Sequence, residues 1–478
     1  MIKLTKQVAL LLLIALLLLS AAACRQPTGE TTTGDQTTET PGSDTDITDD
    51  LPDVKYDGYE FNVIIQSNSG RHRDIVYNEE LVGNQISELV YKRNMEVEDR
   101  FGIVIKGTTD THQNVITTVR NLVNSDDYEY DLVFSATMYM YNLATQDGLL
   151  EIDELVHINL TKPWWGQDIL EGGFTINGKT YLVNGDISPT SLLRSALLIF
   201  NKSLCDQNHI EYPYQTVYDG KWTLDELIRI TKDFTRDTDG DEKYDLFGLT
   251  SWYLDSPYSF YYGAGGQMVY KDGDDMPYLN PSREKDILIY EKIFELILVN
   301  NSNFEKQVSR DAYKVFTDGN ALFVEASLHQ IKRGEYQDMD DDWGVLPLPK
   351  LSESDEYRSF VNSSISMVGV PANAPDPERT GVITEALAST SYRLITPKLV
   401  DVLAKNRYTQ DAESQDMFDI VFRNRVYDLA YIEQTLWNSL SFVRDLLNQE
   451  SISVASYFAS VESKVKDRIE EIANFYRD

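Results

Sequence analysis

Phe61-Asn62-Val63-Ile64-Ile65 is the run on which the reading of the fold turns. Three β-branched residues and a phenylalanine in five positions read as a buried strand. Downstream, Ile86, Leu89, Val90, Val97 and Phe101 recur at the spacing of one helix face. Phe101 to Lys106 reads as a second strand, Val115, Val119 and Leu122 mark a second helix, and Tyr130 to Ser135 reads as a third strand. That alternation predicts an α/β fold with a parallel sheet, because parallel neighbours need a crossover and the crossover helix covers the sheet. Ligands of such sheets bind beyond the carboxyl ends of the strands. Gln66 to Ser69 and Ser135 to Met138 are placed there.

Toward the C-terminus the alternation continues. Ala196 to Phe200 reads as a strand and is followed by Asn201-Lys202. Thr223-Leu224-Asp225-Glu226 has the spacing of a capping box, opening a helix through Leu227, Ile230 and Phe234. Leu246 to Ser251 reads as a strand, then aromatic and Gly-rich segments precede helices near 282–300 and 307–317. Ala321 to Val324 and Trp343 to Leu346 read as strands. From Arg379 onward the pattern is helical, with amphipathic runs at 413–424, 430–448 and 459–476.

Toward the N-terminus, Lys3 and Lys6 precede the apolar run Val8 to Leu19, and Ser20-Ala21-Ala22-Ala23 leads to Cys24. This reads as an export signal over residues 1–23. The run is about half the roughly 20 residues a membrane-spanning helix needs. Small residues ending at a cysteine resemble a bacterial lipobox, although Ala21 stands where Leu is usual. The resemblance implies lipidation of Cys24 and a place on the outer face of the cell membrane. Residues 24–54 are rich in Thr, Asp, Glu, Gly and Pro and read as a flexible tether. With Cys24 spent on lipid, only Cys205 remains, which excludes an intramolecular disulfide and reads as a packed thiol.

The net charge is −34, and loss of Lys3 and Lys6 makes it −36. Nucleic acids and anionic lipid surfaces require basic patches, so neither is an expected partner. The 29 tyrosines and 6 tryptophans suit recognition of sugar rings, although most such residues serve as core or rim. The 5 histidines are scattered and form no paired metal motif, and no G-x-S-x-G elbow is present. Gly173 to Thr180 matches the P-loop pattern formally. However, Thr180-Tyr181-Leu182-Val183 reads as a strand and Asn177-Gly178 as a hairpin turn, so the helix that would meet phosphate is missing.

Asp237-Thr238-Asp239-Gly240-Asp241-Glu242-Lys243-Tyr244-Asp245 carries carboxylates at positions 1, 3, 5 and 9 of an EF-hand-type loop, with the Lys243 carbonyl at position 7. Glu242 stands where that loop wants Gly, and Gly248 where a bidentate Glu closes the shell. The alternatives are a structural calcium site formed by Asp237, Asp239, Asp241, Lys243 and Asp245, or a solvated acidic turn.

Across the mature chain the sequence resembles the extracellular solute-binding proteins of family 1, the sugar-binding subunits of ABC importers. The resemblance is carried by Tyr91-Lys92-Arg93-Asn94, Tyr130-Asp131-Leu132-Val133, Lys162-Pro163-Trp164-Trp165 and Asn184-Gly185-Asp186-Ile187. It continues through Leu198-Ile199-Phe200-Asn201-Lys202, Gly220-Lys221-Trp222-Thr223, Asp237-Thr238-Asp239-Gly240-Asp241, Gly344 to Lys350 and Gly369-Val370-Pro371, in that order. It implies two α/β lobes of the type II periplasmic-binding-protein kind, with ligand in the cleft between them and a helical C-terminal region. The implied lobes are 55–192 with 365–408, and 193–364 with 409–478. It also implies a monomer that closes on a sugar or short oligosaccharide and delivers it to ABC permease subunits, with no covalent chemistry. A glycan hydrolase and a ligand sensor for a membrane kinase are the alternatives.

Sugar rings stack their C–H faces on aromatic rings while hydroxyls take hydrogen bonds from polar side chains. Trp252, Tyr253 and Trp437 lie where the family often stacks its ligand. Tyr261 and Tyr262 precede the Gly263-Ala264-Gly265-Gly266 stretch, and Asn68, Ser135, Thr137, Asp186 and Glu325 are the polar candidates. Trp164, Trp165, Trp222 and Trp343 read as structural.

Overall fold

Alternate residues of the Tyr59–Gln66 strand serve two different cores in the computed structural model, which describes residues 47–68, 73–76, 85–306, 311–331, 336, 339–399 and 411–477. Phe61, Val63 and Ile65 pack with Val97 and Phe101 of the Gln85–Phe101 helix and with Val382 to Ala388 of the Pro377–Leu394 helix. Ile64 faces the other way, with Val115 and Val119 of the His112–Ser125 helix. Both faces are thus covered, as the strand's unbroken apolar run requires.

The first sheet has the order 366–369, 132–136, 59–66, 103–110. Tyr59–Gln66 pairs in parallel with Ile103–Asp110 and with Leu132–Ala136. The returning Ser366–Gly369 strand joins antiparallel at the edge. The second sheet has the order 303–305, 247–252, 321–327, 196–201, 343–346. There Ala196–Asn201 runs antiparallel to both of its neighbours. The chain crosses from one sheet to the other at 188–195 and returns at 361–365, where Ser195 and Val361 form an antiparallel bridge. Each sheet with its helices is one lobe.

Several quoted sequence segments acquire a physical reason. Trp164 and Trp165, each 1% exposed, both donate their indole N–H to Glu385, at 3.0 and 2.9 Å. This pins the 160s loop to the Pro377–Leu394 helix. Arg93, fully enclosed, donates to the backbone carbonyls of Asp74 and Ile187 and to Ser391 Oγ. Trp222 donates to the carbonyl of Pro347 at 3.0 Å, and Thr223 Oγ1 accepts from the amide of Glu226, closing the expected helix cap. Asn177 and Gly178, with φ of 51° and 72°, make the tight turn between Thr175–Ile176 and Lys179–Thr180. The formal P-loop is therefore a hairpin.

Two expectations change. The run at 430–448 is three helices, Leu429–Ile432, Gln434–Ser439 and Phe442–Asn448. Glu433 restarts the second by accepting the amide of Leu436 at 2.7 Å. The helix expected at 307–317 is present over Asp311–Thr317, and 307–310 lie outside the described residues. Residues 47–54, expected to belong to the flexible tether, are instead held against the first lobe. Asp49 binds Arg100 and Ser389, Asp50 binds Lys162, and Leu51 and Val54 pack on the first lobe's core. Charge pairing and two apolar anchors offset the ordering entropy that composition alone leaves uncompensated. Cys24 lies outside the described residues, and no helix among those described is long and apolar enough to cross a membrane.

Candidate functional site

The carboxyl ends of the first lobe's strands are knitted by a single side chain. Gln66 Oε1 accepts from Ser135 Oγ at 2.7 Å and from the Ala136 amide at 2.9 Å. Ser135 and Thr137 are fully buried, so they shape the strand end and the start of the Thr137–Ala144 helix. Asn68 lies exposed two residues beyond Gln66.

That helix meets the second lobe. Asn142 Nδ2 donates to Gln434 Oε1 at 3.3 Å, on the short helix that also carries Trp437. Tyr431 stands edge-on to Trp437 with ring centres 6.3 Å apart, and Tyr258 meets Tyr431 at 5.0 Å. Tyr262 stacks on Phe360 at 5.1 Å, and Arg444 lies 5.1 Å from the Trp437 ring. At the end of the Phe247–Trp252 strand, Trp252 crosses Tyr253 at right angles, and its amide donates to Ser256 Oγ. Ser256 and Ser259 in turn donate to the two oxygens of Glu325, each at 2.7 Å. Trp252, Tyr253, Tyr262, Glu325 and Trp437 are thereby linked through Ser256, Tyr258 and Tyr431.

Exposure divides this group. Trp252, Tyr261, Tyr262 and Glu325 are at most 3% exposed. Tyr261 gives its hydroxyl to Asp286 at 2.6 Å. In this conformation they build the wall, while Tyr253 and Trp437 are half-buried and keep accessible surface. Burial pushes the Glu325 carboxyl up to about 7, against the pull of its two serine donors. With both oxygens engaged, Glu325 holds the Ser256–Gly263 helix in place.

Asp186 lies apart from the aromatic group. It lines a cavity of about 320 Å³ whose walls include Trp165, Asp168, Asn184, Ser191 and Arg425. Asn184 Nδ2 donates to the carbonyl of Ser366 at 2.6 Å, which sets the cavity beside the return crossing. Asp186 accepts from Thr396 Oγ1 at 2.6 Å, and burial raises its carboxyl to about 7. Asp168 and Arg425, pairing at 2.9 Å, were not singled out by sequence. Arg425 follows a helix in Arg423-Asn424-Arg425 and has no periodic signal to mark it.

In the acidic loop, Asp237, Asp239 and Asp245 bring one carboxylate oxygen each within 4.8 Å of one another. Asp241 does not join them; it accepts the amide of Lys243 and faces that residue's ammonium at 3.3 Å. Asp237 accepts the amides of Asp239, Gly240 and Glu242, which hold its carboxyl below the usual range. Glu242 has φ of 69°, the left-handed conformation that Gly usually supplies at that loop position. Three convergent carboxylates suit a hard cation such as calcium.

No protein-family model matches the sequence, and no curated protein does. Among solved structures, the chain is similar to a cyclo/maltodextrin-binding protein complexed with maltotetraose, with a TM-score of 0.58 and 14% identity over 86% of this chain and 98% of that one. The maltose-binding periplasmic protein of Listeria monocytogenes in complex with maltose gives 0.55 and 14% over 87% and 99%. A sugar transporter of Rhizobium etli in an open conformation gives 0.56 and 12% over 88% and 99%. The shared fold is the two-lobed periplasmic-binding-protein architecture, and these neighbours are binding proteins, not enzymes.

Proposed function

We propose that the chain is the lipid-anchored, extracytoplasmic solute-binding subunit of an ABC importer, capturing a sugar or short oligosaccharide as its lobes close. The observation that carries this reading is the position of Trp437. It is a half-buried indole on the helix that touches the first lobe through Asn142 and Gln434. A flat apolar face with polar side chains beside it, at the boundary of two lobes, fits a sugar ring. Tyr253 supplies a second accessible ring, and Asn68 an exposed polar group near the first lobe's strand ends. The neighbours solved with maltotetraose and maltose make glucose oligomers the first ligands to try.

Calorimetric titration over a panel of oligosaccharides tests the reading. Trp437→Ala is expected to weaken binding of the best ligand about tenfold or more, on the order of 1.4 kcal/mol. Full affinity in Trp437→Ala and in Tyr253→Ala alike rules out this site. For the acidic loop the proposal is a structural calcium, held by Asp237, Asp239 and Asp245. Added calcium should raise the melting temperature of the parent but not of Asp237→Asn, and an unmoved parent leaves the solvated turn.

A further inference from the structure

Asp168 and Arg425 belong to different lobes. Asp168 sits in the Gln167–Ile169 turn, fastened to the first lobe by the Gly166 amide on the Asn184 carbonyl and by the two tryptophans on Glu385. Arg425 starts a short strand that pairs with Ser359–Phe360. Just before it, Ser414 of the Ala412–Arg423 helix accepts the amide of Val345 in the second sheet. The guanidinium reaches across with Nε 2.9 Å from Asp168 Oδ2 and Nη2 3.4 Å from Oδ1.

We infer that the Asp168–Arg425 pair is a latch between the lobes that sets their angle when no ligand is bound. Three features support a releasable contact. The pair borders the 320 Å³ cavity and keeps 23% and 15% of its side-chain surface exposed, so water can solvate both charges on parting. An ion pair with that access lacks the severe penalty of stranding a charge in a sealed interior. Second, it stands beside the crossings, since Asn184 and Ser191 of the same cavity bind the backbone of Ser366. Third, Asp186 of the first lobe shares the cavity wall with Arg425. Gly172 permits the approach, because a Cβ there would lie 2.7 Å from the Cβ of Tyr427, two residues past Arg425.

The inference assumes the lobe motion of the proposed function, but its test requires no ligand. Spin labels at Tyr128→Cys in the first lobe and Tyr244→Cys in the second, which replace side chains 61% and 48% exposed, report the interlobe distance by pulsed dipolar spectroscopy. The full chain in detergent carries Cys24→Ser, and Cys205 is enclosed. Asp168→Asn and Arg425→Gln are each expected to shift or broaden the distance distribution. The double variant should match the singles, because either change alone removes the pair. Arg425→Lys keeps the charge without the Nη2 hydrogen bond to Asp168 and should broaden the distribution, which keeps the test open if Arg425→Gln misfolds. Parent-like distributions in Asp168→Asn and Arg425→Lys overturn the latch, as do additive shifts in the double variant.

Discussion

Replacing Glu385 with Gln isolates one buried carboxylate as a source of pH-dependent stability. Glu385 is fully enclosed and accepts from Trp164, Trp165 and the Asn159 amide. Burial nevertheless raises its carboxyl from 4.5 to about 7. The folded state therefore holds this proton more tightly than the unfolded state. Between about 4.5 and 7 it binds more protons, so stability falls as pH rises through that window and levels off above it. A shift of about 2.5 units, at 1.36 kcal/mol per unit, amounts to about 3 kcal/mol over the window. Gln has the shape of the protonated acid and does not titrate. At pH 5 the variant should lie about 1–3 kcal/mol below the parent, because one indole N–H then faces an amide N–H₂. By pH 8 the parent has lost its contribution of about 3 kcal/mol and the variant has not. Urea denaturation followed by tryptophan fluorescence at pH 5, 6, 7 and 8 measures both profiles. The other buried acids, Asp186, Glu325 and Asp428, contribute equally to each and drop out of the difference. Parallel profiles would mean that Glu385 titrates normally and that the reasoning is wrong.

Two further outcomes follow from the packing. Gly172→Ala places a Cβ 2.7 Å from Tyr427 and 3.1 Å from its carbonyl oxygen, so the lobes must give way. A loss of about 1–3 kcal/mol is expected in chemical denaturation, and an unchanged midpoint argues against this close approach. Cys205 is enclosed, and burial pushes its thiol up to about 12. In a Cys24→Ser background it should resist a thiol-reactive dye in buffer at pH 8 and react fully in urea, whereas rapid labelling of native protein contradicts the packing.

The first lobe was legible because its signals are local and redundant. Phe61 to Ile65 is a two-sided apolar run with β-branched residues, and the helices on its faces keep one spacing throughout. The Thr223 cap and the Asn177-Gly178 turn are likewise chemistry written into adjacent residues. The 430–448 region read as a single amphipathic run because its apolar spacing barely falters, and of its two breaks only the first is marked by a side-chain cap, Glu433 on the amide of Leu436. Those breaks matter for the site, since they turn Tyr431 and Trp437 toward each other. The structure brings Trp252, Tyr253, Tyr262, Glu325 and Trp437 into one region, but spacing along a chain carries no measure of depth. Tyr261 and Tyr262 therefore looked as available as Tyr253. The Asp168–Arg425 pair was invisible for a simpler reason: its partners are 257 positions apart and neither belongs to a pattern.

The docking of residues 47–54 ties the N-terminal stretch of the described chain to one half of the molecule. Asp50 on Lys162, Asp49 on Arg100 and the partly buried Leu51 make residues 47–54 part of the first lobe's framework. On the proposed reading of an anchored receptor, a pull on the N-terminus would be delivered to the first lobe through these contacts.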